Sequence, residues 1–411
     1  MVLVMPARAG IRDRSSAGYI WIPACDGMTL RNARCEILGG AARTLRAMLA
    51  LIFIAFAVAA VATLYVIRSA RLHGHASGDH DFRGPQKFHA RVVPRIGGIG
   101  IFAGFGAALA WYALREPAQR AFSLGLLACS TPAFAAGLTE DLTKTVRPRH
   151  RLLATAVAAA AAAWWLGAVI ARTDIPGLDW IAAFPAGAVL LAVFVVAGVA
   201  NSINIIDGMN GLASMCVVLM LMGLAYVASV VGDTLIAALA LAAVGAVLGF
   251  FLWNYPNGMI FLGDGGAYFL GFVLAELAIL LLHRNPQVSP LCPLLMCAYP
   301  VSETLFSMYR RKVVRGRPMG LPDGIHLHSL IYRRLMRWAV GSKDAAVLTR
   351  RNSMTAPYLW VLCSLSVIPS LLWWDSTPVM SGFLLAFVVA YVVLYGSIVR
   401  FRTPGWLIVR R

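Results

Sequence analysis

Three acidic clusters interrupt an otherwise apolar chain: GLTEDLTK at 137–144, NSINIIDGMNGL at 201–212 and FLGDGGAYFLGF at 261–272. Each lies beside a long apolar run, where a membrane helix would reach water. In lipid every unsatisfied polar group costs several kcal/mol, so ionisable residues at such positions indicate a functional site. We therefore expect the three clusters to assemble one polar site at a membrane face.

Asp264 is the acidic residue whose surroundings best suit a metal. It lies in a Gly-Asp-Gly-Gly run, and these small residues let a phosphate or a metal approach the backbone closely. A carboxylate together with phosphate oxygens is the usual way in which Mg²⁺ is held. The alternative is that Asp264 caps the helix that follows it. Two further acidic clusters on the same face favour the metal.

The other two clusters carry side chains suited to phosphate chemistry. Asp207 follows Asn201 and Asn204 on one helical face, where they can hydrogen-bond ribose or phosphate oxygens. Helix capping is the alternative. Glu140 and Asp141 are adjacent and point in different directions, so one can face a lipid phosphate while the other orients it. Ordinary solvated charge is the alternative for this pair.

Basic loops on the same face supply cations. The segment PDGIHLHSLIYRR at 322–334 places His326 and His328 beside Arg residues, a combination suited to a pyrophosphate. Anchoring at the membrane face would explain the Arg residues but not the His pair. Lys87 adds a cation from another loop. Phe261 and Asn254 are placed to stack on and bond a base, with packing as the alternative.

The composition predicts the class of protein. The chain has 411 residues, 60% of them hydrophobic and 13% charged, with a formal net charge of +18. Soluble domains are usually about 45–50% apolar and about 25% charged. The basic residues lie in short loops between apolar runs, which is typical of loops beside anionic headgroups rather than of nucleic-acid binding. The seven Cys show no metal-ligand spacing. We therefore predict an all-α, polytopic integral membrane protein.

Apolar stretches close to the roughly 20 residues needed to span a bilayer predict about 11 transmembrane helices. They are 48–68, 96–114, 121–138, 152–171, 181–202, 212–231, 235–253, 267–283, 290–309, 354–374 and 378–398. Most Lys and Arg lie in the loops after the odd-numbered stretches. Because positive loops stay in the cytoplasm, this asymmetry predicts an active site at the cytoplasmic face.

The first 47 residues differ from the rest of the chain. They contain seven Arg and no long apolar run, and the predicted topology would leave them outside the cell. We expect 1–47 to be a non-native or disordered extension, with the native start near Met48; an amphipathic or cytosolic tail is the alternative. Residues 48–400 are predicted to form one membrane domain and 401–411 a short cytoplasmic tail.

The motifs GLTED, NSINIIDGMNGL, WNYPNGMIFLGDGG and PDGIHLH occur in this order. Together they resemble the polyprenyl-phosphate N-acetylhexosamine-1-phosphate transferases of glycosyltransferase family 4, over about residues 48–400. The resemblance implies a multi-pass enzyme of the bacterial inner membrane. It would transfer a sugar-1-phosphate from a UDP-N-acetylhexosamine to undecaprenyl phosphate and release UMP, using Mg²⁺ or Mn²⁺. That reaction would begin O-antigen, capsule or exopolysaccharide synthesis, and a homodimer is left open.

The resemblance also implies roles for individual residues. Asp264, with Asp207, would bind the metal, and Asp141 would activate or position the lipid phosphate beside Glu140. The remaining substrate-binding residues would be Asn204, Asp207, Asn210, Asn254, Phe261, Lys87, His326 and His328.

Three features depart from the common family pattern. Glu140-Asp141 replaces an Asp-Asp pair, which leaves the base undecided. Asn210 replaces an Asp and cannot be a base or a strong metal ligand. The HLHS motif argues against a peptidoglycan role.

Two other classes predict different patterns. A cation-coupled transporter predicts acidic residues at mid-depth and inverted repeats, and we find neither in the sequence. A CDP-alcohol phosphotransferase predicts several Asp at short fixed spacing on consecutive helices, and this spacing is absent.

Overall fold

The structure is a computed structural model that describes residues 11–15, 18–22, 30–70, 77–78, 92–316, 324–337, 340 and 344–409. The chain divides into two compact units, Met1–Leu49 and Ala50–Arg411. The first unit contains an antiparallel hairpin of β1 (Ile11–Ser15) and β2 (Gly18–Ile22), in which Ile11 pairs with Ile22.

Helix α1 (Leu30–Arg68) begins well before residue 48, where the first membrane span was predicted to begin. Its first half is rich in Leu, Arg and Ala, which are strong helix formers, although it is not apolar enough to predict a membrane span. The proposed status of residues 1–47 stays a prediction.

The second unit is all-α in its described residues, as predicted. After the end of α1 it contains α2 (Gly98–Arg115), α3 (Arg120–Thr143), α4 (Pro148–Leu166), α5 (Leu178–Ala182), α6 (Pro185–Ile206), α7 (Leu212–Val230), α8 (Thr234–Asn254), α9 (Gly263–Arg284), α10 (Leu291–Met296), α11 (Ala298–Tyr309), α12 (Leu327–Arg334), α13 (Ala345–Ser353), α14 (Ala356–Leu372) and α15 (Thr377–Val399).

Nine helices in the described part of the chain are long and apolar enough to cross a membrane, so the protein is polytopic as predicted. Two of the predicted spans differ from the structure. The stretch 290–309 is broken into α10 and α11, because Pro300 lacks the N–H that a continuous helix would need there. The stretch 152–171 corresponds to α4, which starts earlier at polar residues and ends at Gly167 in the left-handed conformation (φ +71°).

Helix α9 is the centre of the second unit. Every residue from Gly263 to Leu281 is buried, and α2, α3, α4, α6, α7 and α8 pack around it. A helix that is apolar on all sides is expected to be surrounded by other helices in this way. The first turn of α9, which carries Asp264, is therefore fixed by neighbours on every side.

Glycines set how closely the helices approach that first turn. A Cβ on Gly137 of α3 would lie 2.5 Å from the carbonyl oxygen of Asp264. A Cβ on Gly98 of α2 would lie 2.4 Å from the backbone nitrogen of Gly266. Small residues permit this backbone-to-backbone packing of membrane helices. The C-terminal ends of α3, α6 and α8 thereby meet the N-terminal ends of α2, α4 and α9 at one end of the bundle.

Candidate active site

The centre of the site is a contact between two acidic residues on different helices. Asp141, in the last turn of α3, accepts hydrogen bonds from the backbone N–H groups of Asp264 and Gly265, both at 2.9 Å. These N–H groups belong to the first turn of α9, where they have no partner inside the helix. Asp141 therefore caps α9 from a neighbouring helix, which leaves the carboxylate of Asp264 for other partners.

Gly263 makes this close approach sterically possible. Its φ is +75°, and a Cβ there would lie 1.8 Å from the carbonyl oxygen of Arg95 and 2.6 Å from Oδ2 of Asp141. Only glycine adopts this conformation without strain and without that clash. The Gly-Asp-Gly-Gly run thus serves the backbone contact with Asp141 as well as any ligand.

Two arginines face the carboxylates. Arg151, in the first turn of α4, forms an ion pair with Oδ2 of Asp264. Nη2 of Arg95 lies 3.7 Å from Oδ1 of Asp264 and 3.9 Å from Oδ1 of Asp141. Buried carboxylates need such partners, because an uncompensated buried charge is strongly destabilising. The sequence did not single out Arg151; its position at the start of an apolar helix was the available signal.

The end of α6 contributes the second predicted cluster. Nδ2 of Asn204 donates to Oδ1 of Asp264 at 2.9 Å, and the carbonyl of Asn204 accepts from the N–H of Asp207 at 3.3 Å. Asp207 is half-buried, and the loss of water around its carboxyl raises its pKa to about 7, while the charge of Arg95 opposes this rise. Asn204 therefore bonds the carboxylate of Asp264 through its side chain and the backbone of Asp207 through its carbonyl.

The donor set fits Mg²⁺ bound together with a phosphate substrate. Magnesium is usually held by one or two carboxylates plus phosphate oxygens and water. Asp264 bonds the side chain of Asn204 and Asp207 follows the same helix end, so both residues bring a carboxyl group to one end of the bundle. Across the described ranges, no group of three or more His, Cys, Asp or Glu is arranged to hold a metal ion. A cation here would therefore rely on substrate oxygens to complete its coordination.

Glu140 is not brought into the carboxylate cluster. Its Oε2 accepts from the backbone N–H of Val146 at 2.7 Å, so it closes the turn between α3 and α4. Lys144 in this turn has a left-handed conformation with a φ of 56°. The two adjacent carboxylates therefore have different partners: Asp141 faces inward to α9, and Glu140 faces the turn.

Asn254 and Asn210 hold loops together in the structure. Oδ1 of Asn254 accepts from the N–H of Gly211 at 2.6 Å, and its Nδ2 donates to the carbonyl of Ile260 at 2.7 Å. The N–H of Asn210 donates to Oδ1 of Asn352 at 2.8 Å, which attaches α13 to this loop. Their predicted contacts with a nucleotide stay predictions.

A cavity of about 640 Å³ lies beside these loops. It is lined by Phe261, by Asn210, by residues 255–259 and by one side of α13, including Thr349 and Arg350. Nδ2 of Asn210 also donates to Oγ of Ser353 at 3.2 Å, so the wall formed by α13 is tied to the loop that follows Asp207. The cavity is large enough for a small organic ligand.

The predicted His pair lies next to the Asp207 loop. His326 and His328 are buried, and their rings stack with centroids 5.5 Å apart. A Cβ on Gly208 would lie 2.3 Å from Nε2 of His328, so this imidazole packs directly against the loop after Asp207.

Lys87 lies outside the described residues.

Two buried acidic residues escaped the sequence analysis. Glu303 of α11 lies 2.8 Å from His326, and it was the one acidic residue in the apolar stretch 290–309. Glu276 lies in the middle of α9, 1% exposed, with no hydrogen-bond partner for either carboxylate oxygen among the described residues. The statement that acidic residues are absent at mid-depth was therefore wrong.

Comparisons with known proteins confirm the resemblance drawn from the motifs. Residues 123–282 match the family model described as Glycosyl transferase family 4. A Bacillus subtilis (strain 168) protein named "Probable undecaprenyl-phosphate N-acetylglucosaminyl 1-phosphate transferase" is 28% identical over 303 residues, which are 72% of this chain and 80% of that protein.

Two further relatives match smaller parts of the chain. A Thermotoga maritima protein named undecaprenyl-phosphate alpha-N-acetylglucosaminyl 1-phosphate transferase is 29% identical over 62% of this chain and 72% of its own length. The phospho-N-acetylmuramoyl-pentapeptide-transferase of Streptococcus thermophilus (strain CNRZ 1066) is 39% identical, but over only 23% of this chain and 27% of its own length.

Proposed function

We propose that this chain, whose residues 123–282 match the model of glycosyl transferase family 4, transfers an N-acetylhexosamine-1-phosphate from a UDP-sugar to undecaprenyl phosphate and releases UMP. The observation that carries the proposal is the meeting of Asp141, Asp264 and Asn204 with Arg95 and Arg151 at one end of the bundle. The two relatives whose names state this chemistry align with the chain over 80% and 72% of their own lengths.

The proposed reaction is a phosphoryl transfer. An oxygen of the lipid phosphate attacks the β-phosphorus of the UDP-sugar, the bond from that phosphorus to the bridging oxygen breaks, and UMP leaves with the bridging oxygen. Catalysis of such reactions consists mostly of positioning and of neutralising charge on the phosphate oxygens. Undecaprenyl phosphate is largely deprotonated at neutral pH, because the second pKa of a phosphate monoester is about 6. The lipid substrate therefore needs a fixed position more than it needs a base.

The residues at the site divide these tasks between them. Asp141 holds the first turn of α9 and thereby fixes Asp264. Arg95 and Arg151 place guanidinium groups beside the carboxylates, where they can also bind phosphate oxygens in a bidentate manner. Asp264 and Asp207 would hold Mg²⁺, whose charge would help to neutralise the diphosphate.

We place the nucleoside in the cavity beside Phe261. The ring of Phe261 lines the cavity and can stack on a base. Phe261 precedes Asp264 by three residues, so the cavity lies close to the carboxylate cluster. His328 packs against Gly208 in the loop after Asp207 and stacks on His326, and we assign the diphosphate of the nucleotide-sugar to this His pair. We also propose the cytoplasmic membrane, with the site at the cytoplasmic face, and a role at the first lipid-linked step of a surface polysaccharide.

One observation favours a different class. Glu276 is a buried acidic residue in the middle of a candidate membrane span, as a cation-coupled transporter would require. The other site residues lie at the helix ends rather than at mid-depth, which favours the transferase. The two proposals differ in their chemistry: a transferase breaks one covalent bond to phosphorus and forms another, whereas a transporter changes no covalent bond of its substrate.

The test is to measure where the β-phosphate of the UDP-sugar is found after the reaction. Purified protein is incubated with undecaprenyl phosphate, Mg²⁺ and a UDP-N-acetylhexosamine labelled on the β-phosphate. We expect the label in the lipid fraction and an equal amount of UMP, formed only when lipid acceptor and metal are both present. UDP as the nucleotide product, or label that stays in water while sugar enters lipid, would overturn the assignment. A panel of UDP-sugars in the same assay identifies the sugar.

Glu140→Gln is expected to change the rate of UMP release by less than about threefold. Glutamine keeps the carbonyl oxygen that accepts from the N–H of Val146, and the loss of one partly exposed charge at a turn costs little. Initial rates of the variant and the wild type at saturating substrates check this. If Glu140→Gln lowered the rate of UMP release more than Asp141→Asn does, Glu140 would be the reactive member of the pair.

A further inference from the structure

Glu303 is buried beside the His pair, outside the carboxylate cluster of Asp141 and Asp264. Its side chain is 1% exposed. Oε1 lies 2.8 Å from Nδ1 of His326, and Oε2 accepts from the hydroxyl of Tyr391 at 2.8 Å. Both carboxylate oxygens of Glu303 are therefore held, one by the imidazole and one by α15.

The backbone around His326 is held from the same side. The N–H of Leu327 donates to Oε1 and Oε2 of Glu303, at 3.1 and 3.3 Å. The carbonyl of Ile325 accepts from Nη1 of Arg310 at 2.9 Å and from the hydroxyl of Tyr395 at 3.0 Å. Three successive residues are thus fixed against α11 and α15, which leaves the imidazole of His326 little freedom to rotate.

A carboxylate at Nδ1 determines the state of the imidazole. Glu303 can only accept while it is ionised, so Nδ1 of His326 carries a proton. Nε2 lies across the ring from Nδ1 and therefore points away from Glu303. The ring stacks on His328 at an interplanar angle of 10°, and His328 packs against Gly208. This orientation directs the His pair toward the loop after Asp207.

We propose that Glu303 is a positioning residue that acts through His326, holding its ring so that Nε2 is presented to the diphosphate of the nucleotide-sugar. The inference rests on the proposed function and adds to it the group that orients the diphosphate-binding imidazole. The same arrangement of carboxylate, imidazole and ligand orients histidines in many enzymes.

The charge of Glu303 gives the proposal a measurable consequence. A neighbouring carboxylate favours the imidazolium form, which donates from Nε2 to a phosphate oxygen. The other groups that face the pair are Tyr391 from α15, His328 from α12 and Tyr299 from α11, and Arg310 approaches the adjacent carbonyl. Among these charged or titratable neighbours, Glu303 alone brings a negative charge at neutral pH.

The test is Glu303→Gln, which keeps the shape of the side chain and removes its charge. The dissociation constant of UDP is measured by calorimetry from about pH 5.5 to about pH 8.5, around the ordinary imidazole pKa. The wild type is expected to lose affinity as pH rises, because an imidazole without its second proton no longer donates from Nε2 to a phosphate oxygen. In Glu303→Gln this loss is expected to begin about one pH unit lower, which weakens UDP binding about tenfold between the two transitions.

Two further variants separate positioning from a merely structural role. Tyr391→Phe removes one hydrogen bond to Glu303 but keeps its charge, so the pH of the transition should stay within about 0.3 unit of the wild type. His326→Gln should lose the transition, and the double variant Glu303→Gln/His326→Gln should bind UDP as His326→Gln does. Thermal unfolding of each variant verifies the fold.

Two results would overturn the proposal. One is a pH transition in Glu303→Gln equal to that of the wild type. The other is a double variant whose losses add, which would mean that Glu303 does not act through His326. UDP binding does not require transfer, so a wild type that binds UDP without releasing UMP from a UDP-sugar contradicts the proposed function and leaves this test valid. Absence of UDP binding by the wild type would overturn both.

Discussion

Asp264→Asn is expected to lower the rate of UMP release by more than about 100-fold at saturating substrates, while the protein still inserts and folds. The substitution removes the carboxylate toward which Arg151, Arg95 and Asn204 converge. Without it, Arg151 loses its ion pair, Arg95 keeps only Asp141 as a partner, and one of the two proposed metal ligands is lost. The shape of the side chain is retained, and the packing of α9 by apolar residues and glycines is unchanged.

The matched control for this variant is Asp233→Asn. Asp233 pairs with Arg284 at 2.6 Å and caps α8 at the end opposite to Asn254. Burial raises the pKa of Asp233, but the donors of Arg284, Asn285 and the backbone of Ile236 together outweigh burial and hold the pKa below its usual range. Its loss should therefore cost stability without changing the rate. Rates of UMP release and thermal unfolding are measured for both variants. A near-normal rate for Asp264→Asn at saturating Mg²⁺ would remove Asp264 from the reaction.

Asp141→Asn is expected to reduce UMP release about as severely and, in addition, to lower the free energy of unfolding. Both carboxylate oxygens accept backbone N–H groups of α9, whereas asparagine has one oxygen and one amide nitrogen. The nitrogen would face an N–H group of Asp264 or Gly265, and a buried donor left without an acceptor costs about 1–3 kcal/mol. The first turn of α9 would move, and Asp264 with it.

The pattern across both assays distinguishes the two carboxylates. Asp141→Asn should lose stability as well as rate, because Asp141 acts through the backbone of α9. Glu140→Gln, altered at the neighbouring position, should lose neither. Loss of rate in Asp141→Asn without any change in thermal unfolding would instead mean that Asp141 acts directly on a phosphate.

The apolar pattern was sufficient to predict an all-α membrane protein, and most predicted spans correspond to helices. The failures have local causes. A hydropathy pattern does not register the missing N–H of Pro300, so 290–309 was read as one helix. A single acidic residue inside an apolar run forms no polar cluster and barely lowers the hydropathy of that run, and so Glu276 and Glu303 gave no signal of a buried site.

The sequence by itself determined that three polar clusters interrupt the apolar runs and that they do so at helix ends. Because a membrane helix has a nearly fixed length and direction, these positions alone predict that Asp141, Asn204 and Asp264 share one end of the bundle. The motif order also predicted the similarity to glycosyl transferase family 4 that residues 123–282 show, since such a match depends only on the residues themselves.

Only the tertiary structure decided which partner each side chain has. Neighbouring helical residues point about 100° apart, so the sequence shows that Glu140 and Asp141 diverge but not which of them faces inward. That choice depends on the rotation of α3 about its axis, which the contact of Gly137 with α9 fixes. The pairing of Arg151 with Asp264 and of Glu303 with His326 likewise joins segments far apart in the chain. Such pairs are selected by how helices approach one another, and local sequence carries no record of that approach.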